Sequence, residues 1–157
     1  MAGIHSLSKK YGFKVIEDAS HAIGGKYKDE KIGSCRFSDI TIFSFHPVKI
    51  ITTAEGGMAV TNDLSLNKKL KLFRSHGISS SHEDMKPQPI DEIWNYQQLV
   101  LGFNYRMTEL QAALGISQIE RLDDFVLKRH IIAERYDNAL IDLPLVSPWQ
   151  HEECYSA

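Results

Sequence analysis

Two cysteines, Cys35 and Cys154, are all that this sequence offers for cross-linking. They lie far apart and fit neither a C-x-x-C pair nor a zinc spacing. Free thiols in a reducing cytoplasm, and no metal site, are the expectation. No apolar run is long enough to span a bilayer, and the first residues lack the apolar core of a secretory signal. Neither sign of charge dominates. The formal net charge of −2 leaves no footprint for nucleic acid or an anionic membrane. No G-x-G-x-x-G precedes the first strand pattern, which argues against a dinucleotide-binding turn. Internal repeats and low-complexity tracts are lacking too. What is there is 157 residues, 43% hydrophobic and 24% charged, enough for one globular core.

Alternating helical and strand patterns predict an α/β fold. Met1 to Tyr11 reads as a helix, with Ile4 and Leu7 at helical spacing and Gly12 just past its end. Phe13 to Glu17 reads as a strand with Val15 and Ile16 buried. The polar, Gly-bounded stretch Gly24–Gly33 reads as a hairpin or surface loop. Ile40–Phe45 is β-branched and aromatic and predicts a second buried strand; Met58–Thr61 predicts a third. Asp63 can cap a helix carrying Leu66, Leu70 and Phe73. Ser79 to Asp91 reads as a loop. Ile93 to Leu101 is ambiguous, with Trp94 and Tyr96 as either core or pocket wall. Thr108-Glu-Leu-Gln111 is a capping box that starts a helix, in which Gly115 is costly unless something packs closely on it. A longer helix runs from Asp123 to about Leu140. Pro144 and Pro148 end regular structure, and Trp149–Ala157 reads as a tail.

The chain is organised around Asp39–Val60. Pro47 ends the strand ladder, having no N–H to donate. Lys49 follows at once, among Val48, Ile50 and Ile51. Apolar neighbours favour a lysine acting as an amine nucleophile. Glu55-Gly56-Gly57 then lets the backbone turn. Taken singly, each candidate has a plain structural reading. Lys49 fits a snorkelling surface lysine, Asp18 a turn cap, His21 a satisfied structural group and Asn104 a turn residue.

Together the residues are more specific. Asp18 stands at the end of one strand, with His21 three residues on. Ser44 and Lys49 follow the next strand, and Asn104 precedes a capped helix. This is the residue set of a pyridoxal 5′-phosphate site. A lysine can form the Schiff base with the cofactor aldehyde. A carboxylate can keep the pyridine nitrogen protonated, so that the ring withdraws electrons. A hydroxyl and an amide can hold the phosphate.

At this point the sequence resembles the DegT/DnrJ/EryC1/StrS family of sugar aminotransferases. The likeness is carried by Val15-Ile-Glu-Asp-Ala-Ser-His-Ala22, Ser44-Phe-His-Pro-Val-Lys-Ile-Ile-Thr-Thr-Ala-Glu-Gly-Gly57, Arg74-Ser-His-Gly77 and Gly102-Phe-Asn-Tyr-Arg-Met-Thr-Glu-Leu-Gln-Ala-Ala-Leu-Gly115. The resemblance implies part of the large domain of a fold type I, aspartate-aminotransferase-like transferase over 1–121. It implies the long helix and the start of a small C-terminal domain over 122–157, so the chain reads as a piece of a longer enzyme. It implies Lys49 as the Schiff-base lysine and proton shuttle, Asp18 at the pyridinium nitrogen and His21 at the ring hydroxyl. Ser44 would hold the phosphate, and Asn104 would reach the phosphate of a neighbouring subunit in a homodimer. Dehydratases of the family carry His where Lys49 stands, so the implied reaction is transamination. The implied substrate is a keto nucleotide-sugar, a UDP-4-keto-6-deoxy-N-acetylhexosamine, with glutamate as amino donor, for surface-glycan synthesis in the cytoplasm. Two other readings stand beside it: a nucleotide-binding α/β module in which Asp18 reads a ribose, and a non-catalytic assembly fragment.

Overall fold

Strand β4, Ile40–Ser44, is the centre of a three-stranded sheet in order β1-β4-β5. Its neighbours are β1, Ile16–Asp18, and β5, Gly57–Val60. The computed structural model describes residues 1–87 and 94–157. These form two compact units, Met1–Asn62 with Thr108–Ala157, and Asp63–Met107.

In the first unit β1 runs parallel to β4, with Ile16 opposite Ile40 and Asp18 opposite Ile42. β5 runs antiparallel to β4, with Phe43 opposite Met58 and Ser44 opposite Gly57. Side chains alternate along β4, so Thr41, Phe43 and Phe45 are buried on one face. Thr41 is polar and wholly enclosed, and its hydroxyl donates to Glu17 Oε2 at 3.0 Å. On the opposite face Ile16 and Ile42 are exposed. The expected burial of Ile16 is therefore corrected. Val15 points into the core, and period-two alternation turns Ile16 the other way. Strand β1 also starts later than the sequence suggests. Ahead of it, the side chain of Asp39 takes the place of a strand partner: Oδ2 accepts from Val15 N at 2.8 Å and Oδ1 from Lys14 Nζ at 2.9 Å.

Helix α1, Ala2–Tyr11, ends at Gly12 in the left-handed conformation. Strands β2, Lys26–Tyr27, and β3, Glu30–Lys31, form a hairpin whose two turn residues, Lys28 and Asp29, both have positive φ. Strand β8, Cys154–Tyr155, adds antiparallel to β2. Part of the stretch read as a tail is thus an ordered strand, further held where the rings of His130 and Tyr155 stack at 4.4 Å. Cys35 and Cys154 are free thiols. Helix α3, Glu109–Ile119, and helix α4, Leu122–Leu140, complete the unit, with Val126 buried.

The second unit holds α2, Leu64–Phe73, and the short pair β6, Ile78–Ser79, and β7, Gln97–Gln98. Asp63 caps α2 by accepting from Ser65 N and Leu66 N. Gly77 has φ +70, and a Cβ on it would lie 1.8 Å from Val100 O, so only glycine fits there. The loop read over Ser79–Asp91 and the segment from Ile93 run into residues 88–93, which lie outside the described residues. Among the described residues, no helix is long and apolar enough to cross a membrane.

Candidate active site

The two parallel strands end side by side, and Asp18, Ser44 and the Lys49 loop lie at that carboxyl edge. This is where ligands bind in open α/β sheets. Asp18 is exposed, and its Oδ1 accepts from both Ser20 N at 3.0 Å and Ser20 Oγ at 2.5 Å. The Ser20 hydroxyl first, and then its N–H, hold the Asp18 carboxyl below the usual carboxylate range; His21 and Lys49 add smaller electrostatic contributions. Among the described residues no hydrogen bond goes to Asp18 Oδ2. An ionised oxygen is therefore presented to solvent at the strand end.

Lys49 is half-buried, and its Nζ lies 2.6 Å from His21 Nε2. Which atom donates depends on the protonation of the ring. The apolar surroundings expected from sequence are only partly present. Ile51 is buried, but Val48 is 74% exposed, so the imidazole is the principal partner of the amine. The loop from His46 to Gly56 is closed at its base by backbone bonds: Thr53 N donates to Phe45 O at 3.0 Å, and Phe45 N to Gly56 O at 2.8 Å. Thr52 Oγ1 also donates to Phe45 O, at 2.9 Å. Ser44 is half-buried, and among the described residues its hydroxyl accepts only a long bond, 3.4 Å, from His46 N. That hydroxyl is available to an oxyanion.

Helix α3 meets the same loop. Its capping box is present as the sequence predicts. Gly115 also has the close neighbour it needs, because a Cβ there would come within 2.8 Å of Thr53 Cγ2. Gln111, read from sequence only as half of the cap, also donates through Nε2 to Glu55 O at 2.9 Å. Ser20 was the other residue missed. The Asp-x-Ser spacing was the available signal, since a serine two residues after an Asp commonly bonds back to it.

Asn104 belongs to the second unit. It forms an isolated antiparallel bridge with Ser75 and is exposed. Phe103 and Tyr105 on either side stack on each other at 4.9 Å. The chain therefore brings Asp18, His21, Ser44 and Lys49 to one strand edge of the first unit, while Asn104 lies on an exposed segment of the second unit.

Comparison with known proteins places the chain in a family. The model of the DegT/DnrJ/EryC1/StrS aminotransferase family matches residues 1–155. A UDP-4-amino-4,6-dideoxy-N-acetyl-beta-L-altrosamine transaminase of Campylobacter jejuni is 45% identical over 137 residues, covering 87% of this chain and 33% of that protein. The spore coat polysaccharide biosynthesis protein SpsC of Bacillus subtilis is 37% identical over 98% of this chain and 39% of its own length. Among solved structures, Helicobacter pylori PseC, an aminotransferase involved in pseudoaminic acid biosynthesis, superposes with a TM-score of 0.78 at 38% identity, covering 91% of this chain and 35% of that one. The PLP-form of the sugar aminotransferase Spr1654 from Streptococcus pneumoniae superposes with a TM-score of 0.74 at 29% identity, covering 96% of this chain and 37% of that one. The chain thus spans about a third of the length of the altrosamine transaminases it matches.

Proposed function

The chain belongs to the DegT/DnrJ/EryC1/StrS aminotransferase family, and from that membership we propose that it forms the lysine-bearing part of a pyridoxal phosphate-dependent nucleotide-sugar aminotransferase. Residues 1–121 belong to the large domain in this reading, and 122–157 open the small one. The observation that supports it most is the contact of Lys49 Nζ with His21 Nε2 at 2.6 Å, beside Asp18 on the same strand edge.

The side chains present fit the cofactor. An ionised carboxylate, an imidazole, a primary amine and a loosely bonded hydroxyl are gathered at one edge. When bound, pyridoxal phosphate supplies an electron sink that labilises bonds at the carbon carrying the amino group. Asp18 would hold the ring nitrogen and His21 the ring hydroxyl. Ser44 would hold the phosphate, joined by Asn104 from a neighbouring subunit of a homodimer. Lys49 Nζ would form the covalent link and take up and return the proton that transamination moves. Asp18 is suited to its part because an exposed carboxylate is ionised at neutral pH and Ser20 holds one of its oxygens, leaving the other open. The imidazole beside Lys49 orients the amine and can share a proton with it.

The named activity of the relatives supports a keto nucleotide-sugar as amino acceptor, which this reading takes to be a UDP-4-keto-6-deoxy-N-acetylhexosamine; glutamate is the donor this reading proposes. The free thiols fit a cytoplasmic location. The test is borohydride reduction of the whole enzyme with pyridoxal phosphate, followed by peptide mass spectrometry. The cofactor mass is expected on Lys49. Attachment to another lysine, or to none, would overturn the assignment.

A further inference from the structure

The capping glutamine of α3 makes more bonds than a cap requires. Gln111 Oε1 accepts from Thr108 N at 2.9 Å and from Thr108 Oγ1 at 3.0 Å. Its Nε2 donates at 2.9 Å to Glu55 O, a carbonyl that also receives Thr53 Oγ1 at 2.8 Å. Glu55 lies where the Lys49 loop closes, between Ala54 at φ +66 and Gly56 at φ +155. A left-handed alanine persists only where neighbouring bonds over-determine it. Those bonds are Thr52 Oγ1 accepting from Ala54 N at 3.0 Å on one side, and the Thr53 and Gln111 donors on the other. Buried Thr53 is in turn backed by Gly115, one turn further along α3.

We propose that Gln111 is a positioning residue for Lys49: its amide ties the start of α3 to the Glu55 carbonyl and so fixes the loop that presents the amine. This inference rests on the reading of Lys49 as the cofactor-bearing lysine. The chemistry selects an amide. A glutamate at this place can close the capping box equally well, but at neutral pH it has no hydrogen to donate to Glu55 O. Capping and loop support can therefore be separated by one substitution.

Gln111→Glu keeps the cap and removes the donor. In the cofactor-free protein, hydrogen exchange of the Phe45 and Thr53 amides should quicken about tenfold, as expected for loss of one bond at the loop base. Trapping of pyridoxal phosphate on Lys49 by borohydride should slow by about tenfold or more, because a displaced amine meets the aldehyde less often in a reactive geometry. The melting temperature should move by no more than a few degrees. Thr108→Ala should do the reverse, lowering the melting temperature while leaving trapping within about twofold of wild type. Unchanged trapping in Gln111→Glu overturns the proposal, as does equal slowing in Thr108→Ala. If wild type traps nothing on Lys49, the lysine assignment fails, and the exchange rates still decide whether Gln111 holds the loop.

Discussion

The two ends of the β1–β4 pair each carry an aspartate held below the usual carboxylate range, and the two are used differently. At the amino end, Asp39 engages both oxygens in the fold, Oδ2 with Val15 N and Oδ1 with Lys14 Nζ. At the carboxyl end, Asp18 engages one oxygen, and only with Ser20, two residues away. The first carboxylate joins segments distant in sequence. Among the described residues the second joins no distant segment, and it lies exposed beside the Lys49–His21 contact. A carboxylate with no long-range partner among the described residues leaves its second oxygen open to solvent, which suits a ligand-binding role. The difference separates a lock from a candidate site within a single sheet.

The largest effects should come from the carboxyl end and from the segment around Asn104. In the whole enzyme, Lys49→Ala and Asn104→Ala should each be nearly inactive in a transamination assay. If Asn104 serves the neighbouring subunit, mixing the two variants creates dimers in which one site carries both lesions and the other neither. With random exchange half the dimers are mixed and half of their sites intact, so activity should recover to about a quarter of wild type. A mixture that stays inactive after exchange is demonstrated would place Asn104 within its own subunit or outside the mechanism.

Asp18→Asn should lower turnover by about a hundredfold or more, because a neutral amide cannot hold a cationic ring nitrogen and the electron sink weakens. Its melting temperature should stay near wild type, since Asp18 bonds only to its neighbour Ser20. Normal turnover, or a large loss of stability, would erase the contrast with Asp39.

Much of this was legible in the sequence because it depends on local chemistry. The β-branched run Ile40–Phe45, the Thr108–Gln111 box and the Asp63 cap each carry their own short-range signal, and the structure has all three. The residues Asp18, His21, Ser44 and Lys49 could be read as a set from their places relative to two strands. Other features depend on partners far along the chain. Strand β1 begins at Ile16 rather than Phe13 because pairing starts at Ile16 opposite Ile40, and before that the Asp39 side chain substitutes for a strand. Cys154–Tyr155 is too short and too polar in its flanks to announce a strand; only β2 makes it one. The second bond of Gln111 reaches Glu55, a pairing that no local pattern reveals.

The smallest effect concerns the amino end, where the prediction is about stability and its pH dependence. Asp39→Ala removes both acceptors and leaves Val15 N–H without its side-chain partner beside a buried residue. The expected cost is about 1–2 kcal/mol, toward the lower part of the range for an unsatisfied group because the carboxylate is partly open to water. The bond from Val15 N is the chief reason that the Asp39 carboxyl titrates low, followed by the Lys14 ammonium. A carboxyl whose folded value lies below its unfolded value stabilises the fold above the unfolded value, near pH ~3.9. That stabilisation is lost as the pH falls through the folded value. Wild type should therefore exceed Asp39→Ala in stability by a constant margin at neutral pH, and the margin should shrink once the pH drops below about 4. Urea unfolding of both proteins across that interval measures it directly. A margin that stays constant into strong acid would show that the Asp39 charge contributes nothing to the lock. The two aspartates would then differ only in where they sit.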